Sequence, residues 1–176
     1  TGVVVLAIDP FARTDDPGPV EEGGRERAFK RMANIDFGRV TRDFRELVAA
    51  LKTDPKCNGR VVGLGICLGG PFVFNAAADG ELDGVATWHG SRLENVVGRA
   101  GDVKCPVLMD FGDEDPVVPP DALAKIREGC EAIGDCTIRV HPGAGHGFSH
   151  TGWSDHRPEV MAVARPGLEE MLASLR

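Results

Sequence analysis

The apolar run Arg60-Val61-Val62-Gly63-Leu64 leads into Gly65-Ile66-Cys67-Leu68-Gly69-Gly70, and a helix-compatible stretch from Pro71 to Ala78 follows. A short apolar run, a glycine-punctuated turn and a helical segment describe a strand that enters a helix through a sharp bend, with a cysteine at the tip. This is the layout of a nucleophile elbow with cysteine in place of serine. Gly65 and Gly69 are expected to let the two arms pass closely because neither carries a Cβ. The side chain of Cys67 is then pushed out above the sheet. The backbone N–H of Leu68, at the start of the following helix, becomes available to an oxyanion, and the helix N-terminus favours a thiolate. The plainer reading is a small buried hydrophobe on a glycine-rich turn, the common fate of cysteine.

An elbow of this kind predicts an acid after a later strand and a histidine after the next. Pro106 to Gly112 reads as a buried strand, and the polar turn Asp113-Glu114-Asp115-Pro116 follows it. Asp121 to Ile133 has helical periodicity, Cys136 to Val140 alternates like a strand, and Gly143-Ala144-Gly145-His146-Gly147-Phe148 makes a flexible loop centred on His146. Cys67, an aspartate and His146 therefore stand in the order of a triad. Spacing leaves both Asp113 and Asp115 open as the acid, and an ordinary solvated acidic turn is the alternative to either.

Strands are expected near 3–8, 60–65, 84–89, 106–111 and 136–140, and helices near 37–52, 70–78, 120–133 and 158–174. Their alternation predicts an α/β fold with a parallel sheet in one domain. The segment Arg13 to Gly24 reads as a loop bordering the pocket. The cations Arg25, Arg27, Lys30 and Arg31, interleaved with Glu21, Glu22 and Glu26, read as a solvated helix face.

At 176 residues with 42% hydrophobic content, a core large enough for a sheet covered on both faces is feasible. Five cysteines without a C-x-x-C pair argue against a disulfide framework and fit a reducing cytoplasm. No apolar run of spanning length occurs, so no membrane partner is expected. The net charge of −7 speaks against nucleic acid. An anionic substrate would need a local field, such as that of Arg13, acting against the overall sign. His141, His146, His150 and His156 are clustered, but without H-E-x-x-H spacing or cysteine pairs. Neither a metal nor another cofactor is expected.

The chain resembles the dienelactone hydrolase family of α/β-hydrolases, whose elbow reads G-x-C-x-G-G and whose acid and base lie in G-x-x-D-x-x-V-P and G-A-G-H-x-F segments. Here these are Gly65 to Gly70, Gly112 to Pro119 and Gly143 to Phe148. Asp9-Pro10-Phe11-Ala12-Arg13 and Asn58-Gly59-Arg60-Val61 are further matches, and the similarity runs from about Val3 to the C-terminal helix. The resemblance implies a mostly parallel sheet flanked by helices and a small ester or lactone as substrate. It implies a thioester acyl-enzyme on Cys67, with His146 as base, Asp115 as its orienting acid and Leu68 N–H at the oxyanion. It places Arg13, His89, His150 and Phe148 around the substrate, Arg13 holding a carboxylate.

Two positions depart from the family pattern. His150 stands where a second arginine is usual, four residues after the catalytic histidine, which weakens the grip on an anion. His89, where some members carry tyrosine, either lines the pocket or is a strand-end histidine capped by its own turn. The family also has upstream strands, a helix, a second oxyanion donor and a glutamate before the position of Thr1, so the domain spanning 1–176 is expected to be N-terminally incomplete. The alternatives are a general carboxylesterase or thioesterase, or a catalytically silent hydrolase-like module in which Cys67 binds or senses oxidants.

Overall fold

Four apolar runs in the second part of the chain become parallel strands: β1 Val62–Ile66, β2 Gly84–Trp88, β3 Val107–Gly112 and β4 Cys136–His141. They lie in the order β1-β2-β3-β4, so each crossover places the next strand beside the last. The structure is a computed structural model and describes residues 2–14, 16 and 24–176, Arg25 by its backbone alone. It divides into two compact units, Thr1–Cys57 and Asn58–Arg176.

In the second unit, α3 Gly70–Ala78 connects β1 to β2 and α4 Pro120–Cys130 connects β3 to β4, while α5 Pro158–Ser174 follows β4. Between β2 and β3 run two short 3-10 helices, Leu93–Asn95 and Val97–Asp102, which the sequence pattern did not signal. Proline at the first turn of α3, α4 and α5 starts each helix where a missing N–H costs nothing. The strand period of two divides the sheet faces. A Cβ on Gly63 would press on Val73 of α3 and on Leu82, whereas one on Gly84 would meet Met171 of α5. Leu108, on the Gly84 face, packs against Gly167 of α5. Helices α3 and α5 thus cover opposite faces, and β2 and β3 are buried along their whole length. Phe74, Val85, Met109 and Phe111 form the fully buried centre.

The first unit holds α1 Arg25–Ala33 and α2 Phe37–Thr53, the latter capped by the Asp36 carboxylate, which accepts from Arg39 N–H. Two expectations change here. Residues 2–9 form no strand, and Val3 to Leu6 are exposed. An apolar run becomes a strand only where a ladder satisfies its backbone groups, and no such pairing forms there. Arg31 leaves the solvated face: it is buried, with its guanidinium 4.2 Å from the centroid of Phe11. A planar, weakly hydrated cation stacks on a ring at little desolvation cost. Most of the expected loop from Arg13 to Gly24, with Glu21 and Glu22, lies outside the described residues. Among the described residues, no helix is long and apolar enough to cross a membrane.

Candidate active site

Cys67 follows β1 directly and occupies φ 51°, a conformation costly for a side chain with a Cβ. The turn forms a single 3-10 helix, Cys67–Gly69, that runs into α3. Gly65 is sterically obligatory, since a Cβ there would lie 2.7 Å from the Gly69 carbonyl oxygen. Gly69 is not: a Cβ on it would meet nothing within 4 Å, and the second close approach falls to Gly70, 3.2 Å from the Gly90 backbone. The elbow therefore requires glycine at 65, position 70 is tight against Gly90, and the expected need for glycine at 69 is corrected.

The turn after β3 and the loop after β4 bring an acid and a base to the sulfur. His146 Nε2 lies 3.0 Å from Cys67 Sγ, and His146 Nδ1 lies 2.8 Å from Asp115 Oδ2. The other oxygen of Asp115 accepts from Val117 and Val118 N–H, which fixes the carboxylate within its own turn. Asp113 points elsewhere and accepts from Gly143 N–H at 2.7 Å, bracing the loop that carries His146.

Burial on its own would raise the Cys67 thiol. The hydrogen bond and charge of His146, then Ser91 and the Leu68 N–H, outweigh it and hold the thiol below its ordinary 9.0. Burial would likewise lower His146, but hydrogen bonds to Asp115 and Cys67 and the charge of both carry it up to about 9. For Asp115, burial is overcome by His146 and by the two backbone N–H groups, so its carboxyl lies below the usual range. The arrangement favours an imidazolium beside a thiolate.

His89, at the end of β2, is fully buried with φ 40°. Its Nε2 lies 2.8 Å from Ser149 Oγ and its ring stands edge-on to His146, 4.7 Å between centroids. Burial, then the charges of His146 and His150, pull His89 down to about 3, so it is neutral at ordinary pH. His150 is 5.3 Å from His89, and burial and His146 lower it too. Phe148 is fully buried behind His89, T-shaped against it at 4.9 Å, and so backs the histidines from the core. Arg13 belongs to the first unit, largely exposed, with its guanidinium 3.7 Å from Asp43.

The sequence reading missed Ser91, whose Oγ is 3.8 Å from Cys67 Sγ, and Ser149 beside His89. It also missed a buried group below the site. Asp110 takes two hydrogen bonds from Arg139, its cross-strand partner, and is 2.7 Å from His141 Nε2. Serines carry no pattern that would flag them, whereas a charge inside the apolar run Val107 to Phe111 was a signal of a buried partner. The four clustered histidines diverge: His141 bonds Asp110 and His156 donates to the Phe148 carbonyl. Among the described residues, the group whose donor atoms do converge is Cys67, His89 and His146, all within 4.8 Å of one another.

A parallel sheet with helices on both faces, a cysteine on a strained strand-to-helix turn, and a histidine and aspartate on later loops define an α/β-hydrolase. The profile of the dienelactone hydrolase family matches residues 1–175, and the chain belongs to that family. It is 30% identical to the carboxymethylenebutenolidase of Pseudomonas putida over 99% of this chain and 75% of that protein. It is equally 30% identical to the carboxymethylenebutenolidase of Pseudomonas sp. strain P51, over 99% and 74%. Among solved structures, the dienelactone hydrolase-like promiscuous phosphotriesterase P91 from metagenomic libraries superposes with TM-score 0.69 at 21% identity, covering 88% of this chain and 69% of that one. A chain from Klebsiella pneumoniae gives 0.68 at 24% identity, and this chain spans 65% of its length. At such identities the solved structures show the fold alone.

Proposed function

We propose that this chain hydrolyses a small ester or lactone through a thioester on Cys67. The observation that supports this reading is the hydrogen-bonded line from Asp115 through His146 to Cys67, at 2.8 and 3.0 Å. In the first half-reaction the Cys67 thiolate attacks the carbonyl carbon, and the oxyanion is held by Leu68 N–H at the head of the elbow turn. The tetrahedral species collapses as the carbon–oxygen bond breaks, and His146 gives its Nε2 proton to the leaving alkoxide. His146, now neutral, takes a proton from water. The hydroxide so formed attacks the thioester, the acid departs and the thiolate is restored. Asp115 holds the imidazole in the tautomer that keeps Nε2 toward sulfur.

A dienelactone-like acid is the first substrate class to consider, because the relatives that match nearly the whole chain are carboxymethylenebutenolidases. The neutral state of His150 favours a second reading, a general carboxylesterase or thioesterase without preference for an acid. Hydrolysis of a dienelactone and of p-nitrophenyl acetate by the protein and by Cys67→Ala separates these. Activity on both substrates, absent in the variant, with an acyl adduct on Cys67 in mass spectra, is the expected result. Activity on the acetate alone makes it a general esterase. A folded protein inert on both, yet oxidised stoichiometrically at Cys67, would replace the reading with a silent redox module.

A further inference from the structure

We propose that Cys67, His89 and His146 form a binding site for a thiophilic divalent cation, Zn2+ in particular, which reversibly caps the Cys67 sulfur. This rests on the geometry of three side chains and holds whether or not Cys67 turns over an ester. One sulfur and two ring nitrogens lie within 4.8 Å of one another. One thiolate and two imidazoles are a donor set suited to Zn2+, which takes three protein ligands and leaves a fourth position for water or an exogenous anion.

His146 is already oriented as a metal-ligating imidazole is. His146 presents Nε2 to the sulfur while its Nδ1 is tied to Asp115 at 2.8 Å, the carboxylate–histidine arrangement that holds a ligating imidazole in place. His89 has Nε2 engaged by Ser149 at 2.8 Å, and its Nδ1 is buried with no hydrogen-bond partner. A buried ring nitrogen without a partner is uncommon in a folded protein, and a lone pair given to a metal would satisfy it. Tetrahedral Zn2+, with bonds of about 2.3 Å to sulfur and about 2.0 Å to nitrogen, sets its ligand atoms roughly 3.3–3.6 Å apart. The Cys67–His146 contact of 3.0 Å then opens slightly, and the widest separation in the group, up to 4.8 Å, closes by about 1.2–1.5 Å. The single proton shared by Cys67 and His146 leaves to solvent as the ion binds, and two metal–ligand bonds replace their hydrogen bond.

Co2+ titration of the whole chain, with Zn2+ in competition, tests this. One equivalent should bind with a thiolate-to-metal charge-transfer band that is absent in Cys67→Ala, and Zn2+ should block alkylation of Cys67 until a chelator is added. His89→Gln should weaken Zn2+ by at least about 10-fold. Because His89 is buried, X-ray absorption on the Zn2+-loaded natural protein provides a test free of substitutions, with one sulfur and two imidazoles expected. A band that persists in Cys67→Ala, unchanged affinity in a folded His89→Gln, or a zinc shell lacking either the sulfur or the second imidazole overturns the site. Ester hydrolysis without Zn2+ binding would sink this inference alone. Zn2+ binding by a protein inert on esters would leave it standing.

Discussion

Between Cys67 and His146 two effects compete for one proton. Burial disfavours the charged form of each, while the 3.0 Å hydrogen bond and the mutual charge favour thiolate and imidazolium together, and the second effect wins. The pair is charged from the lowered thiol pKa up to about 9, where His146 gives up its proton. Alkylation of Cys67 by iodoacetamide should therefore rise at a pH below 9.0 in the natural protein. In His146→Ala, with burial left as the main influence, it should rise above 9.0. A profile unmoved by the substitution would remove His146 as the partner. Asp115→Asn should lower kcat by roughly 10³- to 10⁴-fold through the wrong tautomer, whereas Asp113→Asn should cost less than about 10-fold. Equal losses would reopen the choice between the two carboxylates. His89 gives a stability prediction. Its folded pKa of about 3 lies below the unfolded 6.5, so the unfolded chain binds the extra proton between them and stability falls as pH drops through that window. His150 acts in the same direction, while His146, raised to about 9, loses stability only above 6.5. Denaturant midpoints measured from pH 7 to 4.5 should fall steadily and flatten in His89→Gln.

At the level of elements, the site depends on two places where backbone runs against backbone. A Cβ on Gly112, the last residue of β3, would fall 1.9 Å from the Ala144 carbonyl oxygen, and Glu114 N–H hydrogen-bonds that same oxygen. The acid turn and the histidine loop are thus joined through Gly112. Gly112→Ala should shift the loop and abolish turnover, with destabilisation visible in thermal melts; an active, equally stable variant would show that the loops are held otherwise. Gly69→Ala should be tolerated, because its Cβ would enter open space, while Gly65→Ala should not. Behind the site, the Asp110–Arg139 pair ties β3 to β4. Asp110 is fully buried, so removing Arg139 leaves a carboxylate without its cation.

Across the whole molecule, local signals and long-range contacts contributed differently. Helix α3 and α5 fall at 70–78 and 158–174 as the pattern predicts, since first-turn proline and apolar periodicity act within a few residues. The four strands of the sheet fall within one or two residues of expectation for the same reason. The run at 3–8 did not become a strand, because pairing needs a neighbour that no local pattern specifies. The order of cysteine, aspartate and histidine was readable because a parallel sheet delivers the loops after the carboxyl ends of its strands to the same end. Local pattern was therefore enough for the layered α/β architecture, the elbow and the residue types available for chemistry. Folding in three dimensions was needed to bring Asp115 rather than Asp113 to His146, to leave a Cβ at Gly69 in open space, and to bury His89 against His146. Those outcomes turn on ångström distances between residues far apart in the chain, and side-chain direction there is set by packing and hydrogen bonds.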